Sequence, residues 1–241
     1  MILILASQAD TAARALVQHW SPQGAALLTP DSLSAGGWRY GDLPLEDSRV
    51  NVEGMALRGE DVRGVLVRLS GVPEAELWRI HPAERAYVAT EMTAFLLAWL
   101  SQLPGPVLNR PTPGCLAGPG WRTEQWIHVA AGLGLPVVPL WRGTDLPGPS
   151  GLAGPSPRSH SHVSVVGEHC LGPASSAMEE SARRLARAAR VEVLVVHFAG
   201  SPERPLVAGA SLWPDLQEPH MAELLLRRML REDGAFQEVR S

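Results

Sequence analysis

From Arg85 to Pro139 the chain alternates two helical patterns with two short extended ones, and this order restricts the fold more than any other feature. Glu84 to Gln102 sets Tyr87, Val88, Phe95, Leu96, Trp99 and Leu100 at a helical period, which predicts a helix with one broad apolar face. Pro104-Gly105-Pro106 stops it, and Val107-Leu108 is a short strand running into Asn109-Arg110-Pro111. A second helix is predicted over Arg122 to Gly132, closed by a glycine-rich end, and Leu135 to Pro139 is again extended.

What precedes this stretch has the same character. Ile2 to Ala6 is a continuous apolar run, suited to a strand covered on both faces. Asp10 can cap a helix over Thr11 to Trp20 that packs Ala12, Ala15, Leu16 and His19 to one side. Ala25 to Leu28 is the next strand, so the opening reads as a βαβ unit with parallel strands. Arg49 to Leu57 reads as a hairpin turning at Glu53-Gly54, and Val62 to Leu69 as a further buried strand carrying Arg68 at its end. A three-layer α/β domain over residues 1 to about 110 is the expectation.

Composition narrows the function classes. A net charge of −4 gives no global electrostatic case for nucleic acid or an anionic membrane. No apolar run is long enough to span a bilayer, and the opening lacks the basic flank of a signal peptide. Two cysteines, Cys115 and Cys170, do not make a disulfide framework, so a reducing, cytoplasmic setting is expected. All 21 basic Lys/Arg positions are arginine. Any mechanism that needs a lysine ammonium is therefore closed to this chain acting alone.

The order of elements, with Tyr87 and Glu91 on the first helix, Asn109-Arg110-Pro111 after the strand, Arg122 to Ala130 (RTEQWIHVA) and then Gly134-Leu135-Pro136, resembles the ATP-grasp ligases. The likeness is strongest to the microviridin-type (graspetide) peptide maturases and to RimK-like ligases. There a YxxxE helix, an NxP strand end and a KxxQ segment follow one another. The family lysine is Arg122 here. The hairpin at Arg49 to Leu57 and the arginine at the end of the next strand, Arg68, also resemble features of that family.

The resemblance implies a pre-ATP-grasp-like α/β domain over 1–110, a connecting helix and strand over 111–139, and then a small lid that encloses the nucleotide. Residues 140–161 are instead a Pro/Gly/Ser-rich loop, too short to build that lid. The likeness resumes over 162–241. There His162 to Leu171 is a hairpin turning at Gly167-Glu168, Ser175 to Arg190 an amphipathic helix, Val191 to Phe198 and Leu206 to Leu212 paired strands, and Glu218 to Arg231 a last helix. In active relatives this block supplies the magnesium ligands. Aligned on Pro214, those positions are His197, Gly209 and Ser211. The expected fold is thus an α/β protein whose ATP-grasp α+β lobe is truncated.

Other constellations compete with plain structure. His160, His162, His169 and Cys170 crowd together without the spacing of a zinc motif, and no metal site is expected from them. No GxSxG elbow frames a serine. Asn109 and Arg110 could hold a small anion at the strand end, against the simpler reading that they order the proline-rich turn. Arg183, Arg184, Arg187 and Arg190 make a basic helix face of the kind that is ordinarily solvated. Tryptophans 38, 78, 121, 126, 141 and 213 flank loops, as either interface residues or loop anchors.

Two function classes remain. One is a pseudo-ligase without a catalytic role, binding a peptide or acting as a scaffold in ribosomal-peptide or natural-product modification. It would form a homodimer, or a heterodimer with an ATP-grasp relative or a peptide-modifying enzyme, and would need no cofactor. The other is a residual carboxylate–amine or ester ligase that uses ATP and magnesium with a partner's help, or a different reaction in the retained cleft. Arg68, Glu91, Asn109, Arg110 and Arg122 are its candidate cleft residues. Metal ligands displaced to Glu203 or Asp215 would favour the second class.

Overall fold

The computed structural model describes residues 1–35, 38, 49–52, 55–140 and 161–231. The chain divides into two units: Met1–Gly120 together with Asp215–Ser241, and Trp121–Pro214.

The first unit is built on a parallel sheet. Strands β1 (Ile2–Leu5), β2 (Ala25–Leu28), β5 (Gly64–Val67) and β6 (Val107–Leu108) pair in the order β2-β1-β5-β6. The two inner strands explain the continuous apolar runs: Ile2 to Leu5 are all 0% exposed, and no residue of Gly64 to Val67 reaches the surface. Helix α1 (Thr11–His19) starts where the Asp10 carboxylate accepts the Ala13 N–H at 2.9 Å. Its buried face is Ala13, Leu16 and then Trp20, not the Ala15 and His19 side read along the chain; those two are exposed. One turn, α2 (Pro30–Leu33), is closed by a Thr29–Ser32 capping box. Strands β3 (Arg49–Val52) and β4 (Met55–Arg58) form the expected hairpin, whose turn at Glu53-Gly54 lies outside the described residues.

Helix α3 (Arg85–Gln102) buries Ala89, Leu96, Trp99 and Leu100. Tyr87 is 69% exposed and Val88 only half-buried, so the broad apolar face expected along the whole helix narrows to Ala89 in its N-terminal half. Past residue 120 the chain leaves this unit and returns to it with the last helix, α6 (Met221–Leu230). Met221, Leu224, Leu225 and Met229 are buried there, each worth about 1.5–3 kcal/mol on removal from water. At Gly64 this packing leaves no room for a side chain, since a Cβ on it would lie 3.0 Å from the Met229 sulfur. The last helix thus belongs with the first unit, whereas the sequence reading placed it in a lobe over 162–241. Apolar faces, not chain order, decide the partner.

The second unit is an antiparallel sheet. Its strands β7 (Ser161–Val166), β8 (His169–Leu171), β9 (Val193–Ser201) and β10 (Arg204–Ser211) run in the order β10-β9-β7-β8. Helix α4 (Thr123–Gly132) packs beside β10, with Ile127 meeting Val138, Ala199 and Leu206. The extended stretch after it joins β10 by a single parallel bridge, Val137 to Val207, rather than as a full strand. Helix α5 (Ser176–Ala189) buries Met178, Ala182, Leu185 and Ala186, the i, i+4, i+7, i+8 stripe of an amphipathic helix. No described residue between Val138 and β7 is in a helix or strand, and the loop at 141–160 lies outside the described residues. Among the described residues no helix is long and apolar enough to cross a membrane.

Candidate functional site

In the first unit the chain's route sets the geometry. It leaves β1 for β2 on one side and then crosses to β5 on the other, so the crevice for a ligand is expected at the C-terminal ends of β1 and β5. That place is bridged. Arg68, just past β5, puts Nε 2.7 Å from the Asp10 carboxylate just past β1, and both side chains are largely buried. Burial pushes the Asp10 carboxyl upward, but the Ala13 N–H and the Arg68 guanidinium outweigh it and hold the group below the usual carboxylate range. Arg68 therefore ties two strand ends together.

The other candidates of this unit do not gather round it. Asn109 is 3% exposed at the end of β6. Arg110 turns back on the preceding corner and donates to the carbonyls of Ser101, Leu103 and Gly105 at 3.3 to 3.5 Å. It thereby satisfies the open end of α3, in keeping with the simpler reading that it orders this turn, while its guanidinium stays at the surface. Glu91 is exposed on the outer side of α3.

In the second unit the three positions aligned with metal ligands lie on one sheet face. His197 of β9 pairs in register with Gly209 of β10 on one side and with His162 of β7 on the other. Ser211, two residues beyond Gly209, stands opposite Val195, and its Oγ accepts the Trp213 N–H at 3.2 Å. Gly209 follows a bulge in β10 and has φ 151°, a region nearly closed to residues with a side chain. A Cβ there would also lie 3.1 Å from Cγ2 of Thr123, the first residue of α4. Burial first, and then the charge of His162, lower the pKa of His197. The imidazole is accordingly neutral at pH 7. Arg122 is exposed just ahead of α4; its backbone N–H donates to Gln125 Oε1 at 2.9 Å, and no described residue pairs with its guanidinium.

These residues do not fit magnesium. The ion takes hard oxygen donors, chiefly carboxylates and phosphates. The row offers a neutral imidazole, a glycine that cannot become a glutamate without backbone change, and a hydroxyl engaged with the main chain. Glu203 does not repair it, since it sits in the turn between β9 and β10, about 20 Å along the strand from Gly209 at the usual rise per residue. Asp215 accepts the Gln217 N–H at 2.9 Å. Among the described residues no three His, Cys, Asp or Glu side chains gather as a metal-binding group. His169 pairs with Val166, at the far end of β7 from His162, and Cys170 Sγ lies 3.4 Å from Arg183 Nη1. His160 lies outside the described residues.

Sequence reasoning missed His162 as the neighbour of His197. Alternation in HVSVV and VVHF was the available signal, but it yields no register. Thr123 as the residue behind Gly209 had no signal at all.

No family model matches the sequence, and no curated protein is significantly similar to it. Solved structures are similar in fold. The macrocyclase MdnC of Microcystis aeruginosa, bound with the precursor peptide MdnA, superposes with a TM-score of 0.69 at 10% identity, over 96% of this chain and 100% of its own. A RiPP-associated ATP-grasp ligase of Chryseobacterium gregarium, in complex with ADP and a leader and core peptide, gives 0.66 at 9% identity over 97% of each chain. The ATP-grasp ligase PsnB, complexed with a minimal precursor, Mg and ADP, gives 0.63 at 10% identity over 95% of this chain and 98% of its own. The fold is therefore that of ATP-grasp ligases: a pre-ATP-grasp-like α/β part followed by a truncated α+β lobe.

Proposed function

We propose that this chain has kept the ATP-grasp fold without its ligase chemistry and works by binding, either to a peptide or to an enzyme of peptide modification. The observation that carries this reading is Gly209. At the position aligned with a carboxylate metal ligand the backbone has φ 151° and a Cβ would stand 3.1 Å from Thr123 Cγ2, tighter than ordinary contact. The neighbouring positions, His197 and Ser211, supply no carboxylate either, and no lysine exists to hold phosphates. The peptide side of the proposal is supported by the fold neighbours solved with precursor, leader or core peptides. A homodimer, or a heterodimer with an intact ATP-grasp relative, is part of the proposal, as is a reducing, cytoplasmic setting for the free thiols Cys115 and Cys170.

One observation favours the second reading, a residual ligase. Arg122 stands where the resemblance to ATP-grasp ligases places a lysine, and it is exposed at the start of α4. Calorimetric titration of the full chain with magnesium and ATP at millimolar concentration, beside Arg122→Ala, separates the two. No heat of binding in either protein is the expected result. Magnesium-dependent ATP binding that Arg122→Ala abolishes would overturn the proposal and call for ligase assays.

A further inference from the structure

His162 and His197 stand directly opposite each other on antiparallel neighbours, β7 and β9, and so project from the same face of the sheet. Cβ atoms of such pairs lie about 4.5–5.5 Å apart, a span from which two imidazole nitrogens can reach one ion at about 2.0–2.1 Å. The next position in the row is Gly209, which sets no side chain beside His197. His162 is exposed and His197 half-buried, so an ion can approach from solvent. In the same register Ser164, Val195 and Ser211 form the neighbouring row, which carries no carboxylate. Thiols are absent from both rows. Two imidazole nitrogen donors, with no carboxylate or thiolate in either row, select a borderline divalent ion over hard magnesium or calcium.

We propose that His162 and His197 form a two-imidazole site for a divalent d-block cation of the zinc, nickel or copper type, with its remaining coordination positions left to water. The site uses His197, one of the positions aligned with a magnesium ligand, but needs no nucleotide, so zinc titration without ATP tests it separately from the magnesium–ATP titration above.

The test is titration of the full chain with Zn²⁺ alone, followed by calorimetry, with Mg²⁺ as the comparison ion. One zinc per chain and no magnesium binding are expected. His162→Asn and His197→Asn should each weaken zinc binding by more than about tenfold, since even outer-sphere partners of a metal ligand are worth that much. His169→Asn, on the far edge of the sheet, should leave it unchanged. As a measurement independent of variant folding, ring resonances of ¹⁵N-histidine-labelled native protein should show His162 and His197 shifting together on adding zinc. Zinc binding that survives both substitutions, that is lost instead with His160→Asn or His169→Asn, or that is absent at millimolar zinc would overturn the proposal.

Discussion

Gly209→Ala is the sharpest probe of the second unit, because two separable costs are written into one position. A side chain at φ 151° sits in a region that costs about 1–3 kcal/mol. The added Cβ would stand 3.1 Å from Thr123 Cγ2, so the helix start must give way by a few tenths of an ångström. Overpacking of this size costs about 1 kcal/mol, at the low end for an inserted methyl group. The sum is about 2–4 kcal/mol, or a fall in Tm of roughly 4–16 °C for a chain of this length. Thr123→Ser deletes the offending Cγ2 alone and, at an exposed helix start, should be near neutral by itself. In the double variant about 1 kcal/mol should return while the backbone cost remains. Urea unfolding of the four proteins, read as a double-mutant cycle with constant m-value, gives both terms. Gly209→Ala within about 0.5 kcal/mol of the parent, or no recovery on adding Thr123→Ser, would refute the reasoning.

The Arg68–Asp10 bridge makes stability depend on acid. The lowered Asp10 carboxyl contributes fully above the ordinary carboxylate range and loses its contribution as pH falls through the folded value; unfolding curves from pH 5 to 2 should show this, and Arg68→Ala should flatten them. Asp10→Asn should cost less than Asp10→Ala by about 1 kcal/mol in urea unfolding, because asparagine still caps α1 while losing only the ion pair. Arg110→Ala should destabilise by about 1 kcal/mol, and Arg110→Lys should not restore it, since one ammonium does not reach three carbonyls as a planar guanidinium does; thermal melts decide. Burial pushes the Cys170 thiol up to about 11, against the opposing Arg183 charge. Its alkylation by iodoacetamide at pH 8 should then be roughly two-hundredfold slower than that of a free thiol, and mass spectrometry would read it.

Much of the fold was legible because its signals are local. The run Ile2 to Leu5, the Asp10 cap and the amphipathic stripe of α5 each act within a few residues, and each has its counterpart in the structure. Tyr87 shows where local reading stops: its spacing fits the apolar face of α3, but its own side chain is 69% exposed. The last helix shows the same limit on a longer scale, since the buried face of α6 names no partner until Gly64 is brought beneath Met229. For the candidate site the sequence could nominate Arg68 and Arg110 by position but not their occupations. An arginine that closes a crevice and one that opens onto it are written with the same letter; only Asp10 on one and three carbonyls on the other distinguish them.

The same contrast bears on the loss of ligase chemistry proposed above. On an unconstrained frame, placing glutamate at 209 would be a small change. Here the frame is fitted to glycine: β10 bulges between Val207 and Gly209, Gly209 has φ 151°, and Thr123 at the start of α4 stands close to its bare Cα. Gly209→Glu must therefore meet at least the cost expected of Gly209→Ala before any ligand is offered, and it would offer that ligand beside a neutral imidazole in place of a second carboxylate. Gly209→Glu should consequently be less stable than the parent in urea and still give no heat with magnesium and ATP. A variant that instead keeps parental stability and gains magnesium binding would show that the backbone follows the side chain, and that the ligand positions could be restored one at a time.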